Sequence, residues 1–238
     1  MVTVFIHGVP DTAHVWDDVR KHLDGYETLA PNLPGFSEPV PAGFECTKEG
    51  YVAWLTRYVE ALNQPVNLVG HDWGAILVQR TASLRPDLIR GWAVGGGPID
   101  ESYEWHSAAK TWQTEGAGER WWASKGPSIM GCAMFAAGVP WRHAFSAGRR
   151  IDHRMTSAIL TLYRSARFVG REWSPELTKL SSRGLVFWGA KDPFCPPVFG
   201  RRLAERTGAT FLDLNCGHWT PQQRPADLAA ALRGLISS

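Results

Sequence analysis

The chain has 238 residues, of which 44% are hydrophobic and 20% charged, and its 25 basic and 23 acidic side chains leave a formal net charge of +2. A chain of this length and composition can bury one substantial core, so we expect one globular domain with an insertion. Because the charge is nearly balanced and no block of like charges occurs, the sequence disfavours recognition of nucleic acid or of an acidic membrane.

The sequence carries no targeting or membrane-spanning signal. No apolar run approaches the roughly 18 residues that a membrane span needs, and Met1 leads into an apolar stretch without a basic region or cleavage site. We therefore expect a cytoplasmic protein with no membrane partner. The four cysteines are far apart and form no C-x-x-C pair, which predicts reduced thiols and neither a disulfide framework nor a metal site.

Short apolar runs alternate with longer amphipathic stretches along the chain. The runs are predicted to be strands buried on both faces: Val2–Ile6, Thr28–Ala30, Val66–Val69, Trp92–Val94, Gly184–Trp188 and Thr210–Leu214. Between them, Thr47–Asn63 and Ala226–Ile236 carry apolar stripes at helical spacing. This alternation is typical of an α/β protein with a mostly parallel sheet that is flanked by helices.

The alternation stops between about Pro98 and Ser174. This stretch has helical patterns and contains six of the 12 tryptophans of the chain. We therefore predict an α/β core formed by residues 1–97 and 175–238, with residues 98–174 inserted as a helical cap that lies over the sheet.

The pentapeptide GHDWG, residues 70–74, follows a predicted strand and opens a predicted helix. It has the form of a nucleophile elbow, in which a sharp turn between strand and helix holds one side chain at the carboxyl end of the sheet. Asp72 occupies the nucleophile position. Alternatively, Asp72 is an ordinary cap of the helix that follows.

An acid and a histidine follow two later strands. Asp192 lies in the loop after the strand GLVFW, and His218 lies in the loop after TFLDL. Loops at the carboxyl ends of parallel strands converge on one crevice, and nucleophile, acid and histidine is the chain order expected for this type of hydrolase. We therefore predict that Asp72, Asp192 and His218 form a catalytic triad.

The segment His7-Gly8-Val9-Pro10 directly follows the first strand. A cis peptide bond before Pro10 is expected to turn the N–H of Val9 into the crevice. With the N–H of Trp73, it would form an oxyanion hole. His7 itself is expected to be a buried structural histidine that is bonded to the loop.

Five segments in this order resemble the motifs of the α/β-hydrolase fold family, and specifically its Asp-nucleophile branch of epoxide hydrolases and haloalkane dehalogenases: HGVP, LPGF, GHDWG, GAKDP and CGHW. The similarity covers nearly the whole chain. It implies the α/β-hydrolase fold with a helical cap insertion. Family members usually have one or two strands before HG-x-P, so an N-terminal edge hairpin is expected to be absent here, and a homodimer that covers this edge is an open expectation.

An aspartate nucleophile is ionised at pH 7 and can attack a saturated carbon directly, forming an ester that His218 and water would then hydrolyse. The resemblance implies Tyr163 and His106 of the cap as the residues that assist ring opening. An epoxide hydrolase acting on a small to medium apolar epoxide is therefore the leading hypothesis, with water as co-substrate and no cofactor.

Two alternatives remain. A haloalkane dehalogenase would use the Trp73 indole and a second cap indole, such as that of Trp112, to hold the halide, although Val9 stands where one dehalogenase subfamily has Asn. A catalytically silent binding protein on the same fold is also open. The pocket wall is expected to be aromatic, formed by Phe36, Trp73, Trp105, Trp112 and Trp219.

Overall fold

A six-stranded sheet lies at the centre of the computed structural model, which describes residues 1–181 and 183–237 but not the side chains of residues 125–128. The strands are β1 (Thr3–Ile6), β2 (Thr28–Leu29), β3 (Val66–His71), β4 (Ile89–Gly95), β5 (Gly184–Gly189) and β6 (Thr210–Leu214). Their order in the sheet is β2-β1-β3-β4-β5-β6, and every pairing between neighbours is parallel. These strands confirm the α/β fold class with a mostly parallel sheet.

The chain order reverses between β1 and β3. From β1 the chain crosses to β2 on one side and later returns to place β3 on the other side. In open parallel sheets, ligands bind outside the carboxyl ends of the strands at such a switch point, because the loops there separate and leave a crevice. The segments that begin at His7 and at Asp72 leave the sheet at this point.

Helices cover both faces of the sheet. The α-helices are α1 (Asp17–Lys21), α2 (Lys48–Glu60), α3 (Trp73–Leu84), α4 (Ser107–Trp112), α5 (Ala117–Ala136), α6 (Trp141–Arg150), α7 (His153–Ser165), α8 (Val169–Trp173), α9 (Pro197–Thr207), α10 (Thr220–Gln223) and α11 (Pro225–Ser237). Short 3₁₀ helices span Ala13–Trp16, Pro86–Leu88 and Ser174–Lys179. Of the described helices, none is long and apolar enough to cross a bilayer.

The core has two layers because successive strand residues point to opposite faces. In β1, Val4 and Ile6 face a layer shared with α2 and α3, whereas Phe5 faces a layer shared with α1 and α11. The prediction that every strand is buried on both faces is wrong for β2 and β6. Both are edge strands with a neighbour on one side only, and their residues are largely half-exposed or exposed.

Helices α4 to α8 all lie between β4 and β5, within the stretch predicted as the cap. Two contacts from Lys48 at the start of α2 join this group to the sheet layer. Its backbone N–H donates to the Ser165 hydroxyl at 2.9 Å, and its ammonium pairs with Glu172 at 3.0 Å. The sheet and α4 to α8 therefore enclose a space between them, above the carboxyl ends of the strands.

We expect Gly74→Ala to lower the free energy of unfolding by about 3 kcal/mol, since overpacked sites pay a cost of this order. A methyl group at Gly74 would collide with the carbonyl oxygen of Ile6 in β1, which is backbone and cannot move aside. The matched control is Gly234→Ala in α11, where an added methyl group meets nothing within 4 Å. It should raise the stability by about 0.5–1 kcal/mol through helix propensity. Urea unfolding measures both changes, and equal effects would contradict the close approach of α3 to β1.

Candidate active site

Asp72 lies on a strained turn between β3 and α3. Its backbone has φ 54° and ψ −123°, a conformation that costs a residue with a side chain about 1–3 kcal/mol. The neighbouring glycines make the turn possible, because a side chain at Gly70 would collide with the backbone of Gly74. The Asp72 side chain makes no capping bond to α3, so the alternative that it is an ordinary helix cap is wrong.

One carboxylate oxygen of Asp72 is held by the loop after β1. The Val9 N–H donates to Oδ1 of Asp72 at 2.7 Å, and the peptide bond between Val9 and Pro10 is cis, as expected. Gly8 is required here, since any side chain would overlap the Asp72 carboxylate. Trp73 begins α3 directly after Asp72, and the role of its N–H in an oxyanion hole stays a prediction.

His218 lies between the two carboxylates that were predicted to accompany it. Its Nδ1 is 2.8 Å from Oδ2 of Asp192, and its Nε2 is 3.4 Å from Oδ2 of Asp72. The second oxygen of Asp192 accepts the backbone N–H groups of Phe194 and Cys195, both at 2.9 Å. Asp192 is thus held by three hydrogen bonds, and it fixes the His218 ring so that Nε2 faces Asp72.

The charges within this group favour an ion pair. Burial opposes protonation of His218, but Asp192 and Asp72 outweigh it and raise the pKa of His218 to about 10. Burial likewise acts to raise the pKa of Asp72, but the hydrogen bond and charge of His218 outweigh it and hold that pKa below its usual value. His218 is therefore protonated at neutral pH.

Two further histidines support the loops of the site and are neutral. Burial lowers the pKa of His7 and of His71 to about 4. His7 donates from Nδ1 to the Gly8 carbonyl at 2.8 Å and accepts the Leu33 N–H on Nε2 at 2.9 Å, which confirms the structural role expected for it. His71 donates from Nε2 to the His218 carbonyl at 2.8 Å and so ties β3 to the loop of His218.

A cavity of about 170 Å³ lies between Asp72 and the cap helices. His218, Val9, Tyr163 and His106 also line it, and so do two of the predicted wall residues, Trp112 and Trp219. Its remaining walls were not predicted from the sequence and are largely apolar: Pro10, Ala108, Trp121, Met130, Ala133, Met134 and Phe194. A space of this size and character suits a small apolar ligand.

Three predicted wall residues do not line the cavity. Trp73 and Trp105 stack on each other with ring centres 5.8 Å apart, and both contact the Tyr163 ring, which itself lines the cavity. Phe36 is fully buried against His7, with ring centres 5.3 Å apart, in the layer below. The sequence placed these aromatic residues near the site, but their packing partners exclude them from the wall.

The cap brings Tyr163 and His106 to the same cavity as Asp72. Tyr163 in α7 is 2% exposed and packs against the Trp73 ring. Burial and the charge of Asp72 raise its pKa well above the usual value, so it carries its proton. His106 caps the start of α4, where its Nδ1 accepts the Ala109 N–H at 3.3 Å.

Burial lowers the pKa of His106, so the ring is neutral at pH 7. Because Nδ1 is an acceptor, the proton of the neutral ring is on Nε2. Tyr163 and His106 thus each bring a proton donor to the cap side of the cavity.

Asp11 is a residue of the site that the sequence analysis missed. It is buried beside the HGVP loop and accepts the indole N–H of Trp219 at 3.0 Å, while the Trp219 ring contacts that of His218 at 5.1 Å. Burial and the charge of Asp72 raise the pKa of Asp11 to about 7. The sequence signal that could have indicated Asp11 is its position directly after the HGVP segment.

In the described part of the chain, one group has the residue types and spacing of a metal site. Ligand atoms of Asp192, Cys195 and His218 lie within 4.8 Å of one another. Both Asp192 oxygens are occupied by hydrogen bonds, and burial raises the pKa of the Cys195 thiol well above its usual value. These residues therefore favour a hydrogen-bonded pair of acid and histidine over a metal site.

Comparison with known proteins identifies the family. A model of the alpha/beta hydrolase family matches residues 3–231, and since this is nearly the whole chain, the protein belongs to that family. The haloalkane dehalogenase DbeA from Bradyrhizobium elkani superposes with a TM-score of 0.80 over 99% of this chain and 89% of its own, at 21% identity. At this identity the likeness establishes the fold alone.

The curated relatives include several kinds of hydrolase. Lipase LipV of Mycobacterium tuberculosis is 25% identical, over 97% of this chain and 91% of its own length. Epoxide hydrolase 2 of Siraitia grosvenorii is 33% identical, over 37% of this chain and 29% of its own length. Apart from LipV, the curated relatives compared are matched over 28% to 36% of their lengths. These comparisons establish the family.

We expect Asp72→Asn to lower the pKa of His218 clearly below about 10. The variant removes the negative charge near Nε2 but keeps Asp192 on Nδ1, so part of the elevation should remain. Titration of histidine by NMR measures this, with His218→Gln assigning the signal and intact mass verifying that the amide persists. An unchanged pKa would show that Asp72 and His218 are not coupled.

Proposed function

We propose that the protein is a hydrolase that opens a small apolar epoxide to a vicinal diol through an ester on Asp72. The observation that carries the proposal is the presence of Tyr163 and His106 on the same cavity as Asp72 and His218. A buried carboxylate provides the nucleophile, and two neutral proton donors provide what the leaving oxygen needs. Since the cavity measures about 170 Å³, the substrate is small.

In the first step, Oδ2 of Asp72 attacks an epoxide carbon. The bond between that carbon and the epoxide oxygen breaks, and its electron pair stays on the oxygen, which takes a proton from Tyr163 with His106 as a second donor. The Val9 N–H holds Oδ1 and thereby directs Oδ2 to the substrate. The product is an ester that no longer carries the charge of Asp72.

In the second step, water attacks the carbonyl carbon of this ester. The loss of charge at Asp72 removes one of the two carboxylates that raise the pKa of His218. His218 therefore gives up its proton, which neutralises the phenolate left on Tyr163, and can then accept a proton from the water. Negative charge that develops on Oδ1 is stabilised by the Val9 N–H. The acyl bond to Oδ2 then breaks, and Oδ2 takes the second proton of the attacking water. The diol leaves with the former epoxide oxygen and Oδ2 of Asp72, and Asp72 is again a carboxylate that carries one oxygen from the water.

A haloalkane dehalogenase is the second candidate, and a specific observation favours it. The buried indole N–H groups of Trp73 and Trp112 have no hydrogen-bond partner among the described residues. Buried donors without partners are costly, and a halide ion would satisfy them. However, Trp73 does not line the cavity, and Tyr163 lies against both rings, with centres at 5.3 and 5.0 Å. This position of Tyr163 favours an epoxide hydrolase over a haloalkane dehalogenase.

Ester hydrolysis and silent ligand binding are weaker alternatives. A carboxylate nucleophile gains little on an ester substrate, since it would form an anhydride, although LipV is named a lipase. A binding protein does not need a buried carboxylate, histidine and acid joined by hydrogen bonds, because unused buried charges cost stability.

Epibromohydrin distinguishes the two leading candidates, because it carries an epoxide and a carbon–bromine bond. Early formation of the bromodiol with bromide retained is expected. Early bromide release with glycidol as product would instead identify a dehalogenase. The absence of any turnover by the wild-type protein would favour a binding protein without catalytic activity. Asp72→Asn, which should be inactive, controls for uncatalysed opening.

Tyr163→Phe should slow epoxide opening by about 10²-fold, the lower end for a general acid, because His106 remains. The matched control is Tyr103→Phe. The Tyr103 hydroxyl donates to the Phe194 carbonyl at 3.2 Å, and Tyr103 does not line the cavity. Single-turnover rates on styrene oxide measure both variants. Equal rates for Tyr163→Phe and Tyr103→Phe would remove the role assigned to Tyr163.

His218→Gln should form the ester but fail to hydrolyse it. Intact mass should then increase by the mass of one epoxide molecule, and peptide mapping should place the added mass on the peptide that contains Asp72. The exposed histidine variant His22→Gln serves as control and should show no lasting adduct. Absence of an adduct on His218→Gln, with the fold intact, would count against an Asp72 ester.

A further inference from the structure

The cap carries an exposed apolar patch, which is formed by Ile129 and Phe135 of α5 and by Trp141 and Phe145 of α6. Their exposed fractions are 48%, 53%, 63% and 36%. The rings of Phe135 and Phe145 lie 6.2 Å apart, and Trp141 and Phe145 are one helical turn apart on the same side of α6. The rings of Phe135, Phe145 and Trp141 thus span the two helices, and Ile129 adds a further exposed apolar side chain earlier on α5.

In helix α6, small residues face the core and large aromatic residues face solvent. It buries Ala144, Ala147 and Gly148 and exposes Trp141 and Phe145, although large aromatic side chains normally face the core. Ala144 packs closely on Gly131 of α5, which fixes this orientation. The aromatic rings are therefore held outward by the packing of the smallest residues of the helix.

The surroundings of the patch are basic. Residues 129–150 contain Arg142, Arg149 and Arg150 and no aspartate or glutamate. Arg142 and Arg149 are exposed on α6 beside the aromatic rings. The carboxylates against α6 lie on its α1 side, where Asp18 pairs with His143 at 2.8 Å and Asp17 lines the same surface hollow as Arg142.

The patch reaches the edge of the active-site cavity. Ala133 is exposed, lines that cavity, and lies one helical turn after Ile129 on α5, while Met130 and Met134 of the same helix line the cavity from inside. One helix thus presents apolar residues to solvent and to the cavity.

We propose that this patch docks the cap onto a lipid surface that carries anionic headgroups. Exposed Trp and Phe with flanking arginines are the composition of surfaces that lie in the membrane interface, where apolar burial and attraction to anionic lipid act together. A second copy of the chain fits less well, because a twofold contact between two such patches would place the arginines of one copy against those of the other. The docking does not depend on which bond Asp72 attacks.

Docking at this surface departs from the expectation of no membrane partner. That expectation was based on the balanced charge of the whole chain, whereas the exposed face of α5 and α6 is locally apolar and basic. Docking would place the cavity edge at the lipid, where apolar substrates concentrate.

Sedimentation with vesicles tests the proposal. The full chain is mixed with vesicles of phosphatidylglycerol and phosphatidylcholine, or of phosphatidylcholine alone. Binding to the anionic vesicles should be tighter and should weaken with salt. The double variant Trp141→Ser/Phe145→Ser should reduce binding at least tenfold, and Arg142→Gln/Arg149→Gln by about tenfold or more.

The chain offers matched controls. Phe168→Ser removes a ring that is 53% exposed outside the patch, and Arg57→Gln removes an exposed arginine from α2. Both should bind within about twofold of wild type. All four variants should retain the melting temperature and the turnover of a water-soluble epoxide, because none of these residues lines the cavity.

Three results would overturn the proposal: no binding to anionic vesicles, equal binding to both vesicle types, or binding that the patch variants leave unchanged. Analytical ultracentrifugation tests whether the patch instead binds a second copy of the chain. A wild-type dimer that Trp141→Ser/Phe145→Ser converts to a monomer, without vesicle binding, would identify the patch as a contact between copies of this chain.

Discussion

The backbone of Asp72 is the constraint on which the rest of the site depends. At φ 54° and ψ −123°, it turns the chain from β3 into α3 within one residue and leaves the carboxylate outside the end of the sheet. Such a conformation persists only where the surrounding structure enforces it. Here the close approach of α3 to β1 at Gly74, and of Gly8 to the carboxylate itself, enforces it. The strain is thus offset by the packing of the sheet.

The parallel sheet brings the other groups to this carboxylate. Val9, Asp192 and His218 each follow a strand, and because all strands run in the same direction, these residues meet at one edge. The polar contacts then form a closed set in which Val9 holds Oδ1 of Asp72, and Asp192 holds His218 against Oδ2. The electrostatic result is a buried ion pair whose balance changes if Asp72 is esterified.

The cap differs from the core in how its residues are used. In the core, aromatic residues such as Phe5 and Trp188 are fully buried. In the cap, tryptophans pack around Tyr163, and the helices α5 and α6 leave other aromatic residues exposed. Apolar side chains on both sides of α5 make this helix the wall of the cavity and a part of the outer surface at once. The same few helices therefore form both the cavity wall and the exposed apolar surface.

The positions of strands and helices could be predicted from the sequence, because apolar runs and stripes reflect local periodicity. The order of the motifs at 7–10, 70–74, 189–193 and 216–219 also predicted which loops would meet. The sequence did not reveal which aromatic residues line the cavity. Trp73, Trp105 and Phe36 are aromatic like Trp112 and Trp219, but they pack against other rings and do not line it. The burial of Asp11, the capping position of His106 and the outward rings of α6 also depended on contacts between distant segments. The sequence by itself determined the elements and the residues available for chemistry, because these depend on local pattern and chain order. Only the tertiary structure decided which side chains face the cavity, the core or solvent, because that depends on packing partners far away in the chain.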